Sequence, residues 1–204
     1  MTTTGPGRRR DPGVDRRVLE AALELYGEVG WGGFNVEKVA KRAGVGKASI
    51  YLRWPTGEAL LIDALNRVGG IEYVETGDVR TDLVHLAEQV MQGYMGSRGR
   101  AAMRLAIEAD QVPAIGQRWR VVRESQIVAA RALVRRAIAR GELLPDTSVT
   151  LLLDLLCGAA TMHVQATPVH LQHQLPETAS RYIHELVDFL LRTVRAKTPA
   201  VQRN

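Results

Sequence analysis

Apolar residues recur along this chain at the three-and-four spacing of helices. Between Asp15 and Val29 the positions Val18, Ala22, Leu25, Tyr26 and Val29 fall on one face, and Gly30 follows as a stop. Asp15 is placed to cap that first helix. Trp31-Gly-Gly-Phe34 forms a short connection. Asn35 is then set to cap a second helix, Val36 to Ala43, with Val36, Val39, Ala40 and Ala43 on its inner face. Gly44-Val45-Gly46 breaks the pattern, and a third, short helix runs from Lys47 to Trp54. Pro55 ends it, because the residue before a proline avoids helical angles. Thr56 caps a fourth helix, which carries Leu60, Leu61, Ala64, Leu65 and Val68 to a stop at Gly69-Gly70.

The periodicity resumes at Asp82, with Leu83, Leu86, Ala87, Val90, Tyr94 and Met95 on one face up to Gly96. Further helices are predicted over Arg100 to Gln111, Ala114 to Arg140, Val149 to Ala166 and Glu177 to about Arg195. Gly141, the Pro145-Asp146-Thr147-Ser148 turn, and a loop with Pro168 and Pro176 separate the later ones. No strand alternation and no internal repeat is seen. The pattern predicts an all-α protein of about nine helices. A basic arm, 1–11, precedes an N-terminal unit, 12–72, and a larger helical unit, 73–204, with the boundary between Gly69 and Thr81.

Composition narrows this further. At 204 residues, 46% apolar and 24% charged, the chain has the material for a core without staples and is too apolar for disorder. Aromatics are only 5%, so the core must be aliphatic. The single cysteine, Cys157, excludes a disulfide framework and a cysteine-based zinc site, and fits a reducing cytoplasm. No uninterrupted apolar run reaches the ~18 residues of a membrane span, and the N-terminus lacks the apolar stretch of a signal peptide. No membrane partner is therefore expected.

The net charge of +5 is a weak clue as a total; its placement says more. Lys38, Lys41, Arg42, Lys47 and Arg53 fall in one stretch that contains no acid. That stretch also holds two helices joined by a tight glycine turn, the spacing of a helix-turn-helix. In such a motif the second helix enters the major groove and its first residues reach base edges, while lysine and arginine neutralise phosphates. A solvated basic helix pair would show the same spacing.

The residues themselves add a resemblance. Arg17-Val-Leu-Glu-Ala-Ala-Leu-Glu-Leu-Tyr, Gly30, Asn35-Val-Glu-Lys-Val-Ala-Lys-Arg-Ala-Gly-Val-Gly-Lys-Ala-Ser-Ile-Tyr and Trp54-Pro-Thr-Gly-Glu-Ala-Leu-Leu together resemble the N-terminal domain of TetR family transcriptional regulators. A weaker likeness continues through Ala137-Ile-Ala-Arg-Gly-Glu-Leu and Asp154-Leu-Leu-Cys-Gly. The resemblance implies that Lys47, Ala48 and Ser49 open a recognition helix and face bases. Lys47 would then donate to guanine O6 or N7, and the Ala48 methyl would meet a thymine methyl. It also implies that Tyr51 touches phosphate, and Lys38, Arg53 and Thr56 complete the expected DNA-binding set. Ile50 and Trp54 are expected in the core. Leu52 and Gly57 stand where the family often carries Tyr and Lys; Arg53 and the arm Arg8-Arg9-Arg10 are available to replace that charge.

For the C-terminal unit, the Val149 to Ala166 segment is apolar nearly all round and must be buried on every side. In the resembled family the last two helices form a four-helix interface, so a homodimer on an inverted-repeat operator in double-stranded DNA is expected. The family also encloses a small-molecule effector, here of unknown identity. Met91, Tyr94, Met95, Met103, Trp119, Met162 and His163 are the candidate pocket residues, a methionine-rich set suited to an apolar ligand. Each also reads as plain core. His163, His170 and His173 have irregular spacing and only Asp154 near them, so no metal is expected. Asp154 itself reads as a buried hydrogen-bonding group, and Cys157 as core. No cofactor is implied. The expected function is a sequence-specific DNA-binding regulator, a repressor released by its effector. The alternatives are a regulator that senses no ligand, or an all-α enzyme. Against the enzyme, the chain has no phosphate loop and no nucleophile elbow.

Overall fold

The computed structural model describes residues 12–66 and 75–195, and these fold into nine α-helices and one 3-10 segment. The first, α1 (Pro12–Gly33), begins a turn ahead of the expected cap. Asp15 lies inside its first turn and is committed elsewhere, to Arg53 Nε at 2.6 Å. Gly30, at φ +68° and ψ −174°, breaks the helix where the sequence places a stop, and the chain makes one more turn to Gly33. Asn35 caps α2 (Val36–Ala43) by accepting from the Glu37 amide at 2.7 Å. Gly44 leaves that helix in the left-handed region, at φ +66°. The third helix, α3 (Lys47–Tyr51), is shorter than the pattern predicts. The amides of Arg53 and Trp54 share the Ile50 carbonyl at 2.9 and 2.8 Å, a tightening that prepares the turn into Pro55. Thr56 accepts from the Ala59 amide at 3.0 Å and so caps α4 (Gly57–Asn66). The expected extension to Val68, the Gly69-Gly70 stop and the arm with Arg8-Arg9-Arg10 lie outside the described residues.

The start of α5 (Val79–Tyr94) corrects the sequence reading. The helix begins ahead of the periodicity read from Asp82, and Asp78 caps it, its carboxylate accepting from the Thr81 amide at 2.9 Å and the Thr81 hydroxyl at 2.6 Å. Asp82 is buried instead and accepts from the Thr76 amide and hydroxyl at 2.8 and 2.7 Å. Next, α6 (Gly96–Glu108) starts and ends earlier than predicted. Then come α7 (Pro113–Ala139) and α8 (Val149–Ala166), the 3-10 segment Val169–Gln174, and α9 (Leu175–Val194).

Two hydrophobic cores result, both overwhelmingly aliphatic. One gathers the inner faces of α1 to α4 with Ala101 and Leu105 of α6, Val112 and Ile115 at the start of α7, and Trp119 against its edge. The other packs α5, α8 and α9 with the second half of α7, through Ala130, Leu133, Val134 and Ala137. The 27 residues of α7 span roughly 40 Å at the helical rise, so this single rod enters both cores. Burial of a Leu or Ile side chain contributes about 1.5–3 kcal/mol. The packing therefore outweighs the weak intrinsic stability of the short helices α2 and α3, which are below the ~12–15 residues needed to stand alone.

The expectation for α8 is met on one side only. Leu152, Leu153, Leu156, Ala160 and Val164 are buried, while Leu151 (58%), Leu155 (48%) and Met162 (59%) are exposed in the single chain. Phe189 of α9 is exposed as well, at 59%. Asp154 is exposed, not buried as the sequence suggests. By length and mean hydropathy, 18 residues at 1.4, α8 would be able to cross a membrane. Thr150, Asp154, Thr161, His163 and Gln165 interrupt the apolar residues within it.

Candidate nucleic-acid interface

The turn Gly44-Val45-Gly46 sets α3 across the end of α2, and α3 is anchored from below. Ile50 and Trp54 are buried against the N-terminal core, and the Trp54 indole donates to Asp63 of α4 at 2.9 Å. That anchoring leaves the opposite face outward. Lys47, Ala48 and Tyr51 are exposed and Ser49 half-buried. Leu52 is the most exposed large apolar residue of the unit, at 87%. An open cleft of about 480 Å³ lies beside this face, lined by Trp31, Phe34, Glu37, Lys47, Tyr51 and Thr56 among others. Trp31 and Phe34 stack at 5.7 Å to form its floor.

The basic stretch is less naked than its sequence suggests, because acids from neighbouring elements fold onto it. Arg42 reaches Glu28 at 2.7 Å and Glu24 at 4.0 Å, both on α1. Arg53, expected to contact DNA, is turned inward: besides Asp15, its guanidinium donates to the Ser49 carbonyl at 3.0 Å. It pins α3 to α1. Lys47 Nζ contacts the Glu37 carboxylate and lies 5.7 Å from the Tyr51 ring centre. That hydrogen bond raises the Lys47 pKa above its ordinary value and lowers that of Glu37. Lys38 is exposed, with Nζ 3.3 Å from the Gly33 carbonyl, and Thr56 is exposed at the start of α4. Of the expected DNA-facing set, Lys47, Tyr51 and Thr56 line that cleft, Ala48 and Lys38 are exposed and Ser49 half-buried, while Arg53 is spent on holding α3.

The sequence reading missed how this unit is held. Arg104 of α6 donates to the carbonyls of Gly27 and Glu28 at 3.0 and 2.9 Å, satisfying the last turn of α1 before Gly30. Glu108 accepts from the Trp31 amide at 2.9 Å and also holds the Tyr26 hydroxyl. Burial, with the Glu108 charge second, pushes the Tyr26 phenol well above its usual range. An Arg and a Glu four residues apart on one helix were legible as a face. Their targets, backbone groups of α1, were not.

The seven pocket candidates do not surround one space. Met91 is fully buried in the C-terminal core, with Tyr94 and Met95 packed against it. Trp119 packs on the other core. Met103 and Met162 are exposed. His163 stacks on Tyr182 at 3.8 Å, while His170 and His173 are exposed on the 3-10 segment. Cys157 is half-buried, and burial together with the nearby Asp154 charge pushes its thiol up to about 11.

Comparison with known proteins agrees with this geometry. Residues 18–64 match the family described as "Bacterial regulatory proteins, tetR family". Residues 74–188 match "Tetracyclin repressor-like, C-terminal domain". The HTH-type transcriptional regulator AqdR of Rhodococcus erythropolis is 29% identical over 177 residues, covering 86% of this chain and 82% of that protein. The TetR family transcription regulator SCO0332 has a similar fold, with a TM-score of 0.53 and 27% identity over 90% of this chain and 99% of its own. A protein described as a transcriptional regulator from Saccharomonospora viridis, solved in complex with choline, shares the fold at a TM-score of 0.66 and 16% identity, over 92% and 100% of the two chains.

Proposed function

The chain belongs to the TetR family of bacterial transcriptional regulators, which bind DNA through a helix-turn-helix and are not enzymes, and from that premise we propose that it acts as a homodimeric repressor released from an inverted-repeat operator by a small molecule. The observation that carries the DNA-reading part is the outward face of α3. Lys47, Ala48 and Ser49 project from the N-terminal end of a helix whose other face is locked by Ile50 and Trp54. That is the end which meets base edges in the major groove. Tyr51 and Lys38, with Thr56 at the N-terminus of α4, flank it at positions suited to phosphate.

The exposed leucines of α8, with Met162 and Phe189, support self-association. A helix with apolar residues on its open side is stable in water when that side is covered. Twofold pairing would set two α3 helices about 34–36 Å apart, one turn of DNA. The Arg104 and Glu108 clasp supports release: a ligand that shifts α6 would move α1, and with it α3, out of register. Such a ligand acts by binding the shifted state more tightly. The domain division, 12–72 for DNA and 73–204 for dimer and ligand, follows this reading, as does a cytoplasmic location beside the DNA.

The scattered pocket candidates favour a second reading, a regulator that senses no ligand. A thermal-shift screen of small molecules followed by DNA-binding assays separates the two. A compound that stabilises the protein and lowers operator affinity supports release by ligand. Stabilisation without any change in DNA binding, across the screen, favours the second reading. For the interface itself, Lys47→Ala is expected to relax sequence preference, and Tyr51→Phe to weaken all sequences evenly. Unchanged affinity and selectivity in Lys47→Ala would remove it from the base-reading set.

A further inference from the structure

Among the described residues, Glu37 is the one acid that contacts a side chain expected to read bases. It sits in the first turn of α2, fixed there by the Asn35 cap on its own amide. Its carboxylate contacts Lys47 Nζ across the turn. Both side chains stay about half or more exposed, 64% for Glu37 and 48% for Lys47, so neither is consumed by the contact. Arg42 and Arg53, by contrast, are pulled back onto α1. An acid beside DNA repels the phosphates, so its place beside Lys47 calls for a donor in the groove.

We propose that Glu37 is a specificity-determining residue, and that Glu37 and Lys47 together read one G·C base pair in each half-site. The inference rests on the reading of α3 as the recognition helix. Side by side, the two groups present a donor next to an acceptor. Across the major-groove edge of a G·C pair, guanine N7 and O6 accept and the adjacent cytosine N4 donates. Lys47 Nζ keeps protons to spare for guanine while it holds Glu37, and the carboxylate keeps lone pairs to spare for cytosine N4. An A·T pair fits less well. Its adenine offers Lys47 one acceptor instead of two, and the thymine O4 beside N6 faces the carboxylate with an acceptor. Reversal to C·G puts the donor against the ammonium. The carboxylate thus acts mainly by rejecting wrong pairs, and weakens phosphate attraction in doing so.

The test uses the full chain and operator DNA selected by the wild type from a random pool, with every base pair of one half-site then varied singly. Wild type is expected to require G·C at one position that Lys47→Ala relaxes. Glu37→Gln, whose amide both donates and accepts, is expected to lose about tenfold of discrimination at that same position. It should leave the other positions unchanged and gain several-fold in non-specific affinity at low salt. A purely structural Glu37 would instead weaken all sequences together, and Glu37→Ala with unaltered helicity checks that the fold is kept. If Lys47→Ala relaxes a position and Glu37→Gln does not, the inference is overturned while the recognition helix stands. If neither variant alters any position, the reading of α3 itself fails.

Discussion

At Gly30 two constraints coincide on one residue. Its φ of +68° with a ψ of −174° lies in a region essentially reserved for glycine. A Cβ there would also stand 2.4 Å from Glu108 Oε1, breaking into the clasp between α6 and α1. Gly44 has a similar φ, but no atom within 4 Å of its would-be Cβ. Gly30→Ala should therefore lower the melting temperature by more than Gly44→Ala, for which the strain alone predicts roughly 2–8 °C. Equal melts for the two variants would contradict the extra cost expected at Gly30. Cys157 gives a second test at this scale. An acid whose folded pKa is raised holds its proton through neutral pH and gives it up only as pH climbs toward that value, here about 11. Alkylation by iodoacetamide at pH 8 should be slow in the native protein and fast once denaturant unfolds it. Rapid native labelling would contradict the burial.

Among the elements, α2 and α3 depend most on their ends. The Asn35 side chain satisfies an otherwise orphaned amide of α2, so Asn35→Ala should cost about 1 kcal/mol of stability, read by urea denaturation, and Asn35→Ser should restore most of it. The hydrophobic periodicity made all nine α-helices of the described residues legible, and their ends were legible where a glycine marks them, as at Gly30 and Gly44. The starts of α1 and α5 were not: Asp15, read as a cap, is spent on Arg53, and α5 begins ahead of the periodicity that resumes at Asp82, an acid the fold spends on Thr76. Aspartate near a helix start is stabilising in the cap or in the first turn alike, so composition leaves the register open. The residues proposed to face DNA were picked out by the resemblance and the local charge. The acids that fold back on them were not, since Glu37, Glu28 and Asp15 come from outside the acid-free stretch.

Among the described residues, two aliphatic cores are linked by the long α7, and large apolar side chains of α8 and α9, Leu151, Leu155, Met162 and Phe189, are left exposed. If these side chains pair with a second copy, Leu155→Glu combined with Phe189→Glu should give a folded monomer by size-exclusion with light scattering. Helicity should be unchanged, because both side chains are exposed in the single chain. The same variant should bind operator far more weakly, since one α3 then meets only one half-site. The central claim is that two copies of α3 read one duplex. Selection of DNA from a random pool by the wild-type protein tests it most directly. The expected product is an inverted repeat whose half-site centres lie about one helical turn apart, roughly 34–36 Å. Recovery of unrelated sequences, or of a single half-site without its mate, would contradict it.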